Sequence, residues 1–203
     1  GSGNVDDITI SAGSTTGTVN FTPTDDSVYE GNETAIIAIS SVSGADASES
    51  GSQSVTITIT ENESAPTITL ARSAASIDEN SASTVTLTAT ISGVTDSAVT
   101  VALDTSGTAT EGTDYGTISD ITISAGATTG TATLDPTDDN IYEDDETATI
   151  DIGSVSGKSG VTENGTQQVS VTIAENESAP TVTLATSATS IAENAGTSLT
   201  LTA

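Results

Sequence analysis

The sequence predicts an all-β protein made of tandem antiparallel β-sandwiches. Three observations carry that expectation. Short apolar runs alternate with Thr, Ser and Asp at a period of two, as in TVTLTATI at 84–91. Val, Ile and Thr dominate these runs, the residue types that suit a half-buried pleated surface. The whole pattern recurs after about 114 residues, the size of a sandwich domain and too long for a solenoid turn. No segment has a 3.6-residue period, so helix is expected to be nearly absent.

Taken in chain order, TITL (67–70) opens the complete unit. Val85, Leu87, Ala89 and Ile91 share one face of the next strand, and a turn at Gly93–Ser97 leads to Val99, Val101 and Leu103. Ile121 and Ile123, then Ala132 and Leu134, continue the alternation. Ala148, Ile150 and Ile152 form a further strand, and Val169, Val171 and Ile173 the last. An earlier copy repeats the inward positions as Val19 and Phe21, then Ala35, Ile37 and Ile39, then Val55, Ile57 and Ile59. Seven short strands separated by turns read as one sandwich.

The repeat is exact enough to measure. ITISAG occurs at 8–13 and 121–126, and TDDSVYEGNET (24–34) matches TDDNIYEDDET (137–147), both at a spacing of 113. ITENESAPTITL (59–70) matches IAENESAPTVTL (173–184), and SIDEN (76–80) matches SIAEN (190–194), at 114. The extra residue falls in GSVSGKSGVTENGTQQ (153–168), read as a loop, where insertion is tolerated. The expected domains are 1–66, the later part of one module; 67–178, a complete module; and 179–203, the opening strands of another. The fragments read as a window on a longer polymer, or as pieces that another chain completes.

The chain of 203 residues has 29 acids against two bases, Arg72 and Lys158, for a net charge of −27. No basic face exists to neutralise phosphates, which argues against nucleic acid and anionic membranes as partners. No run approaches the roughly 20 apolar residues of a membrane span, and no signal peptide is expected ahead of Gly1. Without cysteine there is no disulfide framework, and without histidine no base for a catalytic serine. Paired carboxylates alone do not make a glycosidase where a cleft with aromatic platforms is missing; no enzyme is expected. The four aromatics are Phe21, Tyr29, Tyr115 and Tyr142; Tyr115 and Tyr142 are expected to pack rather than to function. So small an aromatic content buries little area per residue, and stability should need help from outside the core.

That help is suggested by the loop 137–147, which puts six acids into eleven positions. Carboxylates so close repel by roughly 1 kcal/mol per pair even in water. Calcium-type cations take six to eight oxygens with loose geometry, which such a loop can supply. Zinc and copper lack their His or Cys ligands here, and magnesium's octahedral demand suits the loop less well. Asp138, Asp139, Glu143 and Glu146 recur in the first copy as Asp25, Asp26, Glu30 and Glu33, whereas Asp144 and Asp145 become Gly31 and Asn32. The shared acids are therefore the candidate ligands, against the plainer reading of a solvated acidic loop.

With SIDEN, GTATEGTDYG (107–116), the DDxIxExxE pattern and a closing VTI strand followed by acids, the chain resembles the Calx-beta domain family. That family occurs in sodium/calcium exchangers, in an integrin subunit and in long bacterial surface proteins. The resemblance implies an immunoglobulin-like sandwich binding Ca²⁺ in loops at one end. Carried over by position, it adds Glu79, Asp114 and the carbonyl of Ile141, with Val28 and Glu193 as the counterparts of Ile141 and Glu79. Where the family pattern often closes with consecutive aspartates, this chain has Glu175-Asn176-Glu177, and Glu61-Asn62-Glu63 in the first copy. Glu175 and Glu61 stand as the closing candidates.

The junction ENESAP contains Pro and no Gly, so the linker of about four to five residues is expected to be stiff. The sequence is thus read as a calcium-stiffened tandem-repeat spacer of a large extracellular or surface adhesin or filament protein of bacterial type. Its expected partners are neighbouring modules of the same or identical chains, in a fibre. The alternatives are a surface module with a glycan or protein ligand, and a regulatory calcium sensor.

Overall fold

The structure, a computed structural model, describes residues 5–193 and 196–203; the opening GSG and Asn194 of SIAEN lie outside the described residues. All its regular elements are strands. Ahead of the central sandwich, β1 (Glu33–Ala38) and β2 (Ser54–Ile59) pair antiparallel with each other. The central unit holds β3 (Thr67–Arg72), β4 (Ser76–Asp78), β5 (Val85–Ile91), β6 (Val99–Gly107), β7 (Ile121–Ile123), β8 (Thr129–Leu134), β9 (Glu146–Ser156), β10 (Thr162–Glu163) and β11 (Gln168–Ala174). A last short pair, β12 (Ala185–Thr186) and β13 (Leu201–Thr202), follows it.

Two sheets face each other across the core, in the orders β10-β3-β5-β8 and β4-β11-β9-β6-β7. Alternation places their inner faces as expected: Val85, Leu87, Ala89 and Ile91 are buried against Val99, Val101, Ile121, Ile123, Ala148, Ile150 and Val171. Leu103 departs from the expected phase and is only partly buried. A bulge between Ala102 and Leu103 shifts the pairing of β6 with β9, which turns the following side chains. Ala132 and Val169 are likewise only partly buried.

The sandwich is antiparallel as expected apart from two short parallel pairings. β4 pairs parallel with β11, and β10 parallel with β3. The stretch 153–168 is not all loop, since β9 runs on through Ser156 and β10 occupies Thr162–Glu163. In the first copy, Val19 and Phe21 are half-buried in a segment with no strand pairing, and Ala35, Ile37, Ile57 and Ile59 are half-buried. Ile39 and Val55, expected inward, are 47% and 60% exposed. Among the described residues β1 and β2 pair only with each other, so no second sheet covers that face.

Candidate metal centre

Strand register brings the acids to one end of the five-stranded sheet. Ile173 of β11 pairs with Glu146 at the start of β9, Ala174 pairs with Asp78 at the end of β4, and Gly107 at the end of β6 pairs with Ala148. The residues just beyond these pairs therefore meet: Glu79 after β4, Glu175 and Glu177 after β11, and Asp114 and Glu143 in neighbouring loops.

Two groups of three carboxylates result, each with one oxygen per residue lying within 4.8 Å of the others. Asp114, Glu143 and Glu146 form one group, and Glu79, Glu175 and Glu177 the other. Glu79 and Asp114 are buried, at 7% and 8% exposure. Burying carboxylates without counter-charge is costly unless hydrogen bonds or a cation compensate. Some compensation is present in the backbone. Asp114 Oδ2 accepts from Thr110 N at 2.5 Å, and Glu175 accepts from Glu143 N at 2.5 Å and Glu177 N at 2.7 Å. Glu79 accepts only a long bond from Asp139 N, at 3.3 Å. Oε2 of Glu177 is buried with no hydrogen-bond partner among the described residues. A buried acceptor left over among acids is what a bound cation would satisfy.

The electrostatics follow from this geometry. Backbone donors from Glu143 and Glu177 hold the Glu175 carboxyl down at about 2. Burial, then Asp114 beside it, pushes Glu146 up to about 7. The Glu175 carboxylate, followed by burial, pushes Glu177 up to about 7. Burial likewise raises Glu79 and Glu143. In each group neighbouring carboxyls resist ionising together, an arrangement a divalent ion reverses.

Of the expected ligands, Glu79, Asp114, Glu143, Glu146 and Glu175 fall into the two groups. Asp138 and Asp139 flank them without joining either. Asp139 Oδ1 is taken by Ile141 N at 2.6 Å, and Asp138 Oδ1 by Asn176 Nδ2 at 3.4 Å. The side chain of Ile141 is exposed. Glu193, also exposed, belongs to no such group among the described residues. Tyr115 packs in the core at 1% exposure, but Tyr142, expected to pack, is 38% exposed and donates to Asp144 Oδ1 at 2.5 Å. Glu177 was missed as a candidate; its signal was the ENE repeat itself, present in both copies.

The first copy reproduces the scaffold of the loop. Val28 N donates to Asp26 Oδ1 at 2.8 Å, Asn62 Nδ2 to Asp25 Oδ1 at 3.0 Å, and Glu30 N and Gly31 N to Glu61 Oε2 at 2.6 and 2.5 Å. Glu61 N donates to Asn32 Oδ1 at 2.9 Å, where Glu175 N uses Asp145 Oδ1 at 3.0 Å. Asn therefore serves in place of Asp145, whose role is to accept a backbone donor. No group of three including Glu30, Glu33 or Glu61 forms among the described residues. The 113-residue spacing carries Asp114 onto Gly1 and Glu79 ahead of it, so this loop has neither buried partner within the sequence.

Asp144 sits at φ +70°, where the first copy has Gly31 at +72°. That region is unfavourable for a side-chain-bearing residue and free for glycine. The left-handed strain of about 1–2 kcal/mol exceeds glycine's entropic cost of about 0.5–1 kcal/mol, so Asp144→Gly is expected to stabilise the chelator-treated protein slightly, read from urea denaturation midpoints.

A β-sandwich with carboxylate clusters gathered at one pole defines the class of module. A family model, the Calx-beta domain, matches residues 3–63 and 61–177, and the chain belongs to that family. Comparison with curated protein sequences finds no match. Among solved structures, the chain is similar to the apo form of the Calx CBD1 domain, at 21% identity and a TM-score of 0.43, covering 54% of this chain and 97% of that one. It is also similar to CBD12 from CALX1.2, at 20% identity and a TM-score of 0.44, covering 53% of this chain and 44% of that one. A third, the calcium binding domain CBD12 of CALX1.1, has 21% identity and a TM-score of 0.42, covering 52% and 45%.

Proposed function

We propose that the chain is a calcium-binding array of Calx-beta modules, with boundaries near 66 and 178, that serves as an extracellular spacer stiffened by Ca²⁺. The observation that carries this reading is the pair of carboxylate groups at one pole, with Oε2 of Glu177, grouped with Glu79 and Glu175, buried and unpartnered among the described residues. Their all-oxygen, flexible donor set suits calcium. Asp114, Glu143 and Glu146 would hold one ion and Glu79, Glu175 and Glu177 another. Near-identical modules and a charge of −27 favour a spacer, because without cations the rod repels itself. Its partners would be neighbouring modules of the same or identical chains.

Calorimetric titration of the chain with Ca²⁺ tests the proposal. Extracellular modules bind at about 10⁻⁴–10⁻³ M and sensors at about 10⁻⁷–10⁻⁵ M, so the dissociation constant separates a spacer from a regulatory sensor. Absence of any heat would remove both.

Acidification should weaken binding. Glu146 and Glu177 sit at about 7 in the ion-free fold, above the ordinary carboxyl value. Groups raised in this way stabilise the fold at low pH, and that contribution is lost as pH rises through about 7. The ion-free protein should therefore be more stable at pH 5 than at pH 8. Protons compete with the cation over the same window, so the difference in melting temperature between calcium and chelator should shrink on acidification. Paired thermal scans at pH 5.5 and 8 check both signs.

A further inference from the structure

The two copies of the acidic loop differ in what surrounds their tyrosine. Tyr142 stands exposed, with its hydroxyl on Asp144. Tyr29, in the same place within V-Y-E, is half-buried and lies against the central sandwich. Its backbone N donates to Val94 O at 2.9 Å, and it forms a parallel bridge with Thr95. The loop's own fold is shared by the copies, so the burial of Tyr29 comes from this contact.

At its centre is Lys158, the only lysine in the chain. Its side chain is 12% exposed, and Nζ lies 2.6 Å from Asp96 Oδ1. Nζ also donates to the backbone carbonyl of Glu30 at 2.6 Å and lies 5.8 Å from the centre of the Tyr29 ring. Beside it, Gly160 leaves room for the tyrosine: a Cβ there would come within 2.3 Å of the Tyr29 hydroxyl. The first copy reads SGADAS where the central unit reads SGKSGVT, so the base belongs to this junction and not to the repeat at large.

We propose that Lys158 is a latch that docks the acidic loop of the preceding unit onto the central sandwich whether or not calcium is bound. The partner it fits is an acidic V/I-Y-E loop. Lys158 grips that loop through a peptide carbonyl and the tyrosine face, with Asp96 supplying its counter-charge. Lys158 engages none of the carboxylates Asp25, Asp26, Glu33 or Glu61, and a positive charge stands where two acidic surfaces meet. The latch does not rest on the calcium reading, because none of its contacts involves an ion.

The cysteine-free chain allows the test directly. Spin labels at Ser50→Cys and Thr131→Cys report the distance between the two units by pulsed electron resonance, in EDTA and in 5 mM CaCl₂. The otherwise unaltered chain should give one narrow distribution even in EDTA. Lys158→Ala and Tyr29→Ala should each broaden it in EDTA by about twofold or more, and Lys158→Arg should recover much of the narrowness. Unchanged circular dichroism and melting of the central sandwich exclude misfolding as the cause. A broad distribution in EDTA before any junction substitution, or one indifferent to Lys158→Ala, overturns the latch. Calorimetric heat of calcium uptake is read separately, so loss of the latch and loss of the calcium reading are distinguishable.

Discussion

Chelating calcium is expected to lower the melting temperature of the central sandwich by roughly 10 °C. Binding to the folded state alone stabilises by RT ln(1 + [L]/Kd), about 2.7 kcal/mol at a hundredfold excess. For a domain of this size each kcal/mol is worth roughly 4 °C. Glu146→Gln makes the expectation sharper, because its effect changes sign. Glu146 is half-buried beside Asp114, and desolvation followed by that neighbour raises its carboxyl to about 7. In EDTA the neutral amide relieves that repulsion, so the variant should melt above the parent protein. In millimolar calcium it has lost an anionic ligand and should melt below. Thermal scans of both proteins in both buffers decide the matter; parallel shifts in the two buffers would mean that Glu146 meets no cation.

Tyr115→Ala is expected to cost about 3–5 kcal/mol, the range for emptying the site of a large aromatic. Tyr115 is the largest fully buried side chain of a core otherwise filled by Ile, Leu, Val and Ala, so nothing nearby can collapse to fill its volume. Its position links packing to the acidic pole. Its backbone carbonyl accepts from Gly112 N at 2.7 Å, and it bridges to Pro136, while Asp114 O accepts from Thr137 N at 2.9 Å. The ring thus anchors the turn that carries Asp114 to the start of the acidic loop. Truncation should weaken calcium uptake as well as stability, whereas Tyr115→Phe should do little to either. Urea denaturation in EDTA isolates the packing loss, and calorimetry at a temperature where the variant is folded isolates the binding loss.

What could be read from the sequence depended on how long each signal ran. β5 carries seven residues of strict alternation, and its inward set is buried throughout. β4 and β10 have three residues and two, too few to show a period, and their parallel pairing is set by tertiary contacts. The phase of Leu103 was lost at a bulge, which alternation cannot foresee. At the site, agreement between copies found Glu143 and Glu146, and the family resemblance found Glu79 and Asp114. Asp138 and Asp139 share that agreement but stand outside the two groups, each with an oxygen engaged in a hydrogen bond within the pole, so repetition alone did not foresee which acids would cluster. Lys158 gave no signal, since its partners lie more than sixty residues away in sequence or on another unit.

The parallel pairing of β4 with β11 has a mechanical consequence. Ser76, Ile77 and Asp78 run alongside Thr172, Ile173 and Ala174 in the same direction. When the two ends of the module are pulled apart, these strands slide lengthwise and their hydrogen bonds share the load together, instead of opening one at a time like a zip. That shear contact sits at the β4 edge of the five-stranded sheet, beside the last strand of the module.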